Sequence, residues 1–143
     1  MSPPVAADTG GLLKALARKP NGEASFPEFE AIMTSASVIV VPGLVLAEVD
    51  YFLRANRTAM RKLVAEIFDP RTRYEYEQPI PSDIARALEL DGRFANLGLG
   101  LVDGMVAAVA ERRRIYRVLT SDYRDFMTVR VGRRYDRSLE IVP

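Results

Sequence analysis

The sequence predicts an α/β domain in which helices cover both faces of a central, mainly parallel sheet. Two observations predict it. Short apolar segments alternate with helical segments along the chain, and the first apolar segments lead almost directly into a helix. The chain has 143 residues, which suits one domain with a sizeable core and is short for two. We therefore expect one three-layer α/β/α domain over residues 1–143.

The predicted strands are short apolar or alternating runs that end at a turn signal. SVIVV at 37–41 is the clearest buried strand, whereas YEYEQ at 74–78 alternates like a more exposed one. SLEIVP at the end of the chain is expected to form a short edge strand. In chain order, the predicted strands are 5–8, 37–41, 74–78, 117–122 and 138–143.

The predicted helices carry apolar residues at helical spacing and begin at helix-start signals. Thr9 is the expected N-cap of the first helix, Pro27 lies in the first turn of the second, and Ser82 is the cap candidate of the fifth. In chain order, the predicted helices are 9–19, 25–33, 43–56, about 58–68, 81–94 and about 103–114.

The composition excludes several kinds of chemistry. The chain has no cysteine and no histidine, so Cys and His nucleophiles, Ser/His triads and the usual zinc sites are ruled out. Carboxylates with a hard divalent cation become the leading option for an enzyme. No apolar stretch reaches the ~20 residues of a membrane span, and the first residues do not resemble a secretory signal. We expect a cytoplasmic protein without a membrane segment.

Four acids occupy the ends of predicted strands or the helices that follow them. Asp8 follows the first strand, Asp122 ends the fourth, and Asp103 is the only charged residue between positions 93 and 111. Each has a structural alternative: Asp8 as a turn residue, Asp103 as a helix N-cap, and Asp122 as the start of a turn closed by Asp125. Because ligand sites in open parallel sheets lie at the carboxyl ends of the strands, these acids are also candidates for one shared site.

The fourth acid, Glu48, lies within a predicted helix. It shares a stripe with the apolar residues Val45 and Phe52, so we expect it to point inward. Asp50 projects from another side of the helix and is expected at the surface. Several inward carboxylates in one domain repel one another unless a cation neutralises them. A divalent metal ion would remove this conflict.

These segments carry a resemblance to a known family. The sequence resembles PIN-domain ribonucleases of the VapC toxin type, and the matching segments span nearly the whole chain. They are DTGGLLKAL (8–16), VVPGLVLAEVDYFL (40–53), LGLGLVDGMVAAVAER (97–112), LTSDYRDF (119–126) and the closing LEIVP. The chain departs from the usual pattern at Gly10, where Ser is commoner, and at Gly104, where Ala is usual.

The resemblance implies a PIN-like fold with an acidic quartet that binds Mg²⁺ or Mn²⁺. Carried over by position, the quartet falls on Asp8, Glu48, Asp103 and Asp122, and Asp125 is the alternative or assistant to Asp122. Thr9 follows the first acid as a Thr or Ser does in the family, where its hydroxyl orients a water or a phosphate oxygen. An N-cap role for Thr9 is compatible with that one.

The resemblance also implies an activity and partners. The chemistry is metal-assisted hydrolysis of RNA phosphodiester bonds that leaves a 5′-phosphate and a 3′-hydroxyl. The expected substrate is structured cellular RNA such as tRNA or ribosomal RNA. A cognate antitoxin is expected to block the acidic pocket with its tail, and the toxin itself is expected to form a homodimer.

The C-terminal part of the chain is basic. Residues 112–143 contain nine arginines and four acids, a net charge of +5, although the whole chain carries only +1. Arg112, Arg113 and Arg124 are candidates for holding an RNA backbone, and Tyr123 is a candidate for stacking on a base, with core packing as its alternative. A solvated basic face or a patch for an acidic protein explains the same charge.

Other classes of function lack specific residues. A response-regulator receiver needs an acidic pair after the first strand, and Ala7 precedes Asp8 here. A haloacid-dehalogenase phosphatase needs a second aspartate where Gly10 stands, and GLGLVDG has Asp103 in place of the third glycine of a dinucleotide-binding motif. The remaining alternative is a catalytically silent PIN-like module that binds RNA or a protein partner.

Overall fold

The computed structural model describes residues 1–143, and its centre is a five-stranded, entirely parallel sheet. Its strands, in chain order, are β1 (Val5–Ala7), β2 (Ile39–Pro42), β3 (Tyr74–Glu77), β4 (Arg117–Leu119) and β7 (Glu140–Val142). A separate antiparallel pair is formed by β5 (Arg130–Val131) and β6 (Arg137–Ser138). The order across the main sheet is β3-β2-β1-β4-β7, so the first strand of the chain lies at its centre.

Seven α-helices connect these strands. They are α1 (Thr9–Leu16), α2 (Pro27–Ser35), α3 (Gly43–Phe52), α4 (Arg57–Ile67), α5 (Pro81–Arg93), α6 (Gly100–Arg113) and α7 (Tyr123–Thr128). The first four helices connect strands in one direction across the sheet, whereas α5 and α6 lead back from β3 to β4. Because such connections are right-handed, the two sets lie on opposite faces. This confirms the predicted three-layer α/β/α fold with its parallel sheet.

Strand β1 and helix α6 form the centre of the hydrophobic core. All three residues of β1 are completely buried, as is normal for a central parallel strand. In α6 every residue from 104 to 110 is buried. These residues are glycine, alanine or valine, with Met105 as the one large side chain. A Cβ at Gly104 would lie 2.7 Å from the Ala87 carbonyl oxygen of α5. Gly104 therefore allows α5 and α6 to approach closely.

Helix starts are the least accurate part of the sequence prediction. Thr9 is the first helical residue of α1 and Asp8 takes the N-cap position, so the predicted N-cap role of Thr9 is wrong. Ser82 is likewise inside α5, where Pro81 is the first helical residue. Helix α6 begins at Gly100, three residues before the predicted start at Asp103. In each case the sequence offered a residue type that often caps helices, but the helix begins at or before that residue.

The C-terminal region is more divided than predicted. Strand β4 ends at Leu119 rather than at position 122, and α7 follows it. The predicted edge strand at 138–143 is split between β6, which pairs with β5, and β7, which pairs in parallel with β4. The predicted helices that end at 19 and 56 are also shorter, ending at Leu16 and Phe52.

The helices all fall short of the length and apolar content that a membrane crossing requires.

Candidate active site

Asp8 is held at the end of the central strand. It follows β1 directly, and only 5% of its surface is exposed. Its backbone N–H donates to the Leu119 carbonyl at 2.9 Å, and the Thr120 hydroxyl donates to its Oδ2 at 2.8 Å. Burial raises the pKa of Asp8, and the bond from Thr120 acts in the opposite direction because it favours the ionised carboxylate. One carboxylate is thus fixed at the carboxyl end of the sheet.

Asp103 lies in the first turn of α6. The N-cap position belongs to Leu99, and no side chain caps this helix, so the N-cap alternative for Asp103 is wrong. Positive φ angles at Gly98 and Gly100 turn the chain into α6, a conformation that glycine adopts without strain. Burial first, and then the negative charges of four neighbouring acids, raise the pKa of Asp103 to about 8. The acids that cause this shift are Asp8, Asp122, Asp125 and Glu48.

Asp122 and Asp125 both approach Asp103. One carboxylate oxygen from each of the three residues lies within 4.8 Å of the other two. Asp122 is the N-cap of α7, and its Oδ1 accepts from the backbone N–H of Asp125 at 3.2 Å, as the structural alternative for Asp122 predicted. Burial and the adjacent Asp122 raise the pKa of Asp125. The structural role of Asp122 uses only its Oδ1, so its second oxygen makes no hydrogen bond to the protein.

Glu48 reaches the same place from α3. It is half-buried and lines the cleft that Asp8 and Asp103 also line. The apolar stripe used to predict its direction is only partly correct: Val45 is buried, but Phe52 is 56% exposed. Glu48 thus points into a cleft at the surface and not into the core. Asp50 lies at the surface as expected, where it forms an ion pair with Arg57 at 2.6 Å.

The acids line an open cleft at the carboxyl edge of the sheet. Its volume is about 430 Å³. All four acids of the predicted quartet line it, and Asp125 stands beside Asp122 as part of the adjacent cluster. The lining residues are Asp8, Thr9, Gly10, Leu13, Lys14, Glu48, Phe52, Asp103, Ser121 and Asp122. Four carboxylates against one cation make this a strongly negative cleft, which we call the acidic cleft.

Two buried oxygen atoms in the acidic cleft have no hydrogen-bond partner. They are Asp8 Oδ1 and Thr9 Oγ1, and both residues are at least 95% buried. A buried polar atom without a partner is rare and needs an explanation. A hard divalent cation prefers oxygen ligands, so an ion held by the carboxylates would satisfy Asp8 Oδ1 and offset the mutual repulsion of the acids. The residues therefore fit Mg²⁺ or Mn²⁺.

Sequence reasoning missed three residues of the site. Thr120 fixes Asp8, and its Oγ also accepts from the Asp122 backbone N–H at 2.9 Å. Ser121 and Lys14 line the acidic cleft. The polar run that follows β4 was a signal for Thr120 and Ser121. No sequence signal pointed to Lys14, which reaches the cleft only because α1 starts directly at the end of β1.

Two of the predicted RNA-binding arginines are occupied by ion pairs within the protein. Arg112 donates to both oxygens of Asp83 and pairs with Glu77. Arg113 pairs with Glu77 at 2.7 Å and with Glu75 at 3.1 Å. Asp83 has only 4% of its side chain exposed, so its partner neutralises a buried charge. These contacts join α6 to α5 and β3, and they leave Arg112 and Arg113 poorly placed for an RNA backbone.

Arg124 and Tyr123 lie in the first turn of α7, next to Asp122. The Arg124 side chain is 74% exposed, with its Nε 3.3 Å from Asp125 Oδ1. Tyr123 is 48% exposed, so the core-packing alternative for this aromatic is wrong. Both side chains are accessible at the rim of the acid cluster.

Comparisons with known proteins agree with this fold. The family model described as the PIN domain matches residues 5–131. Among solved structures, the crystal structure of VapC20 from Mycobacterium tuberculosis, described as a sarcin-ricin loop cleaving toxin, is similar to this chain. The match has 22% sequence identity and a TM-score of 0.67, and it covers 82% of this chain and 89% of that one. No curated protein matches the sequence.

Proposed function

The chain belongs to the PIN domain family, and from this premise we propose that it is a metal-dependent endoribonuclease that acts as the toxin of a toxin–antitoxin pair. The observation that carries the proposal is the convergence of four acids on one cleft in which a buried oxygen of Asp8 has no partner. A silent binding module has no need to keep such mutually repelling carboxylates together.

The proposed metal ligands are Asp8, Glu48, Asp103 and Asp122, with Asp125 assisting Asp122. Bound Mg²⁺ or Mn²⁺ would supply the positive charge that activates a water for attack on phosphorus and stabilises the charge that develops on the leaving oxygen. The reaction would leave a 5′-phosphate and a 3′-hydroxyl.

The chain's own side chains would prepare the site for this reaction. The hydrogen bond from Thr120 orients the Asp8 carboxylate and favours its ionised form, and a bound cation would likewise favour the ionised form of Asp103. The unpartnered Thr9 hydroxyl can donate to a water or to a phosphate oxygen beside Asp8. On the rim, the exposed Arg124 is suited to an RNA phosphate and Tyr123 to a base.

The proposed substrate is structured RNA such as tRNA or ribosomal RNA. VapC20 is described as cleaving the sarcin-ricin loop, so this ribosomal element is the first defined substrate to test. At 22% identity the likeness to VapC20 supports a shared fold but not a shared substrate. Total cellular RNA is therefore tested in the same assay.

The proposed partners are a cognate antitoxin and a second copy of the chain, in the cytoplasm. An antitoxin tail would cover the acidic cleft, where the exposed Phe52 offers an apolar contact. For a homodimer, Ile84 and Leu88 are exposed apolar residues one turn apart on α5. Exposed apolar side chains on one helix face are suited to an interface.

The test is cleavage of total RNA and of a sarcin-ricin loop oligonucleotide by the purified, antitoxin-free protein in Mg²⁺ or Mn²⁺. We expect discrete fragments that disappear in EDTA and in the Asp103→Asn and Glu48→Gln variants. Mapping of the fragment ends identifies the site and the position of the phosphate.

Asp50→Asn is the matched control for Glu48→Gln, because it removes a carboxylate from the same helix but outside the acidic cleft. It should cleave RNA as the wild type does. If folded wild type and Asp103→Asn behave alike under every condition, the nuclease proposal fails and the silent RNA-binding or partner-binding module replaces it.

A further inference from the structure

Lys14 is the single cationic side chain that lines the acidic cleft. It lies in the last turn of α1, half-buried, on a cleft whose other charged lining residues are the four acids. An ammonium group in such surroundings is expected to pair with the nearest carboxylate. A direct pair would occupy a carboxylate that a metal ion needs.

Lys14 forms none of the ion pairs of the structure. Its Nζ instead lies 5.0 Å from the ring centroid of Phe26 and 5.3 Å from that of Phe29. The two rings pack edge to face with centroids 6.2 Å apart, and Phe29 is anchored in the core. A cation over aromatic faces within about 6 Å is attracted to them and keeps its charge.

This arrangement separates the positive charge of Lys14 from the negative charge of the acids. The aromatic rings make no hydrogen bond that uses up the ammonium's three donors, so these remain free for a ligand in the cleft. A phosphate group matches a cation beside carboxylates that would hold a metal ion, because its several oxygens can accept hydrogen bonds from an ammonium group.

We propose that Lys14 is a substrate-binding residue that contacts an RNA phosphate in the acidic cleft, and that Phe26 and Phe29 hold its ammonium in position. The inference rests on the proposed ribonuclease function and adds the direction from which the RNA backbone enters. The backbone passes the α1 side of the cleft, which Lys14 lines, while Arg124 and Tyr123 lie on the α7 side.

The test begins with RNA binding in EDTA, which prevents cleavage. The probe is a fluorescein-labelled single-stranded RNA, whose anisotropy is measured over a series of salt concentrations with wild type, Lys14→Met and Lys14→Arg. We expect Lys14→Met to reduce the slope of log affinity against log salt by about 0.7, the value of one phosphate contact with a single strand. Lys14→Arg should keep the wild-type slope because it keeps the charge.

Cleavage in Mg²⁺ or Mn²⁺ is then measured with the same variants. We expect Lys14→Met to lower kcat/KM by about 10-fold or more, mainly through KM, as for the loss of a hydrogen bond to a charged group. Phe26→Leu should raise KM less and leave the salt slope unchanged. Lys62→Met is the matched control, because Lys62 is an exposed lysine of α4 that does not line the acidic cleft.

The outcomes separate this inference from the proposed function. If wild type cleaves RNA and folded Lys14→Met matches it in salt slope and KM, the inference is wrong and Lys14 only packs α1 against α2. If wild type binds RNA with a slope that depends on Lys14 but cleaves nothing, the nuclease proposal fails and the phosphate contact stands. If wild type neither binds RNA in EDTA nor cleaves it in Mg²⁺ or Mn²⁺, both are overturned.

Discussion

The Thr120 hydroxyl donates a 2.8 Å hydrogen bond to Asp8 Oδ2 and so connects the ends of two adjacent strands, β1 and β4. The Thr120 hydroxyl oxygen also accepts from the backbone N–H of Asp122 at 2.9 Å. Thr120 is completely buried, so no water competes for these bonds. Thr120 is not itself a proposed metal ligand, but its two hydrogen bonds fix the relative position of the proposed metal ligands Asp8 and Asp122.

Replacement of Thr120 by Val is expected to weaken metal binding by about 10- to 100-fold, as for other residues that orient metal ligands. The shape is nearly kept, but Asp8 loses the bond that favours its ionised form, and its pKa rises further. Calorimetric titration with Mn²⁺ measures the effect. Thr34→Val is the control, since its hydroxyl bonds only to an exposed helix carbonyl. Equal Mn²⁺ affinity of Thr120→Val and wild type would refute the positioning role.

The stability of the metal-free protein is expected to fall as the pH rises from about 4 to about 8. In this range the folded state keeps a proton on Asp103, whose pKa is raised from 3.8 to about 8, whereas the unfolded chain has already lost it. The unfolded state then binds fewer protons, and the free energy of unfolding decreases with increasing pH. Thermal unfolding in EDTA at a series of pH values measures this dependence.

The variant Asp103→Asn has no proton to release at this position, so its unfolding should depend less on pH and it should be the more stable protein near pH 8. Saturating Mg²⁺ should flatten the wild-type curve as well, because the ion binds the ionised carboxylate. Parallel curves for wild type and Asp103→Asn in EDTA would contradict the assignment of the raised pKa to Asp103.

Gly10→Ala is expected to disturb the acidic cleft by steric contact. A Cβ at position 10 would lie 2.3 Å from Ser121 Oγ, which is closer than real Cβ contacts occur. Because the Ser121 hydroxyl can rotate to another staggered position, the variant should lose no more than about 1 kcal/mol of stability. Ser121→Ala removes the contacting oxygen, so the double variant should regain most of this loss. Urea unfolding of the four proteins gives the coupling energy, and additive effects would show that the two sites do not touch.

Arg112→Met is expected to lower stability rather than RNA binding. It leaves the buried Asp83 carboxylate without its partner, at a cost of about 1–3 kcal/mol. Arg124→Met, at the exposed rim, should leave stability within about 0.5 kcal/mol of wild type and weaken RNA binding. Urea unfolding measures the stability of both variants, and RNA anisotropy measures their RNA affinity. A large loss of RNA affinity in stably folded Arg112→Met would restore its predicted RNA contact.

The fold was predictable because its main signals are local and strong. The apolar run 38–41 overlaps most of β2 (Ile39–Pro42), and the alternation of strands with helices leads to a parallel sheet with few alternatives. Helix starts were less predictable. Asp8 and Thr9 are both residue types that cap helices. Because α1 begins directly after β1, Asp8 takes the N-cap position and Thr9 is the first helical residue.

The acids of the site were predictable in type and place, because strand ends meet at one edge of a parallel sheet. The roles of the arginines were not. Arg112 and Arg124 look alike in the sequence, and only the fold shows that the first faces Asp83 and the second faces solvent. Lys14 was missed for the same reason, since only the fold brings it to the acidic cleft and places Phe26 and Phe29 beside its ammonium group.

The pairing of β1 with β4 also determines at which stage of folding the acidic cleft can form. This pairing joins residues 112 positions apart, and the acidic cleft needs both strand ends. Contacts of such long sequence separation form late, after the loop-closure entropy has been overcome. During synthesis, a ribosome must release nearly the whole chain before Asp8 and Asp122 can meet. We therefore expect nascent and truncated chains that lack β4 to be inert towards the RNA around them.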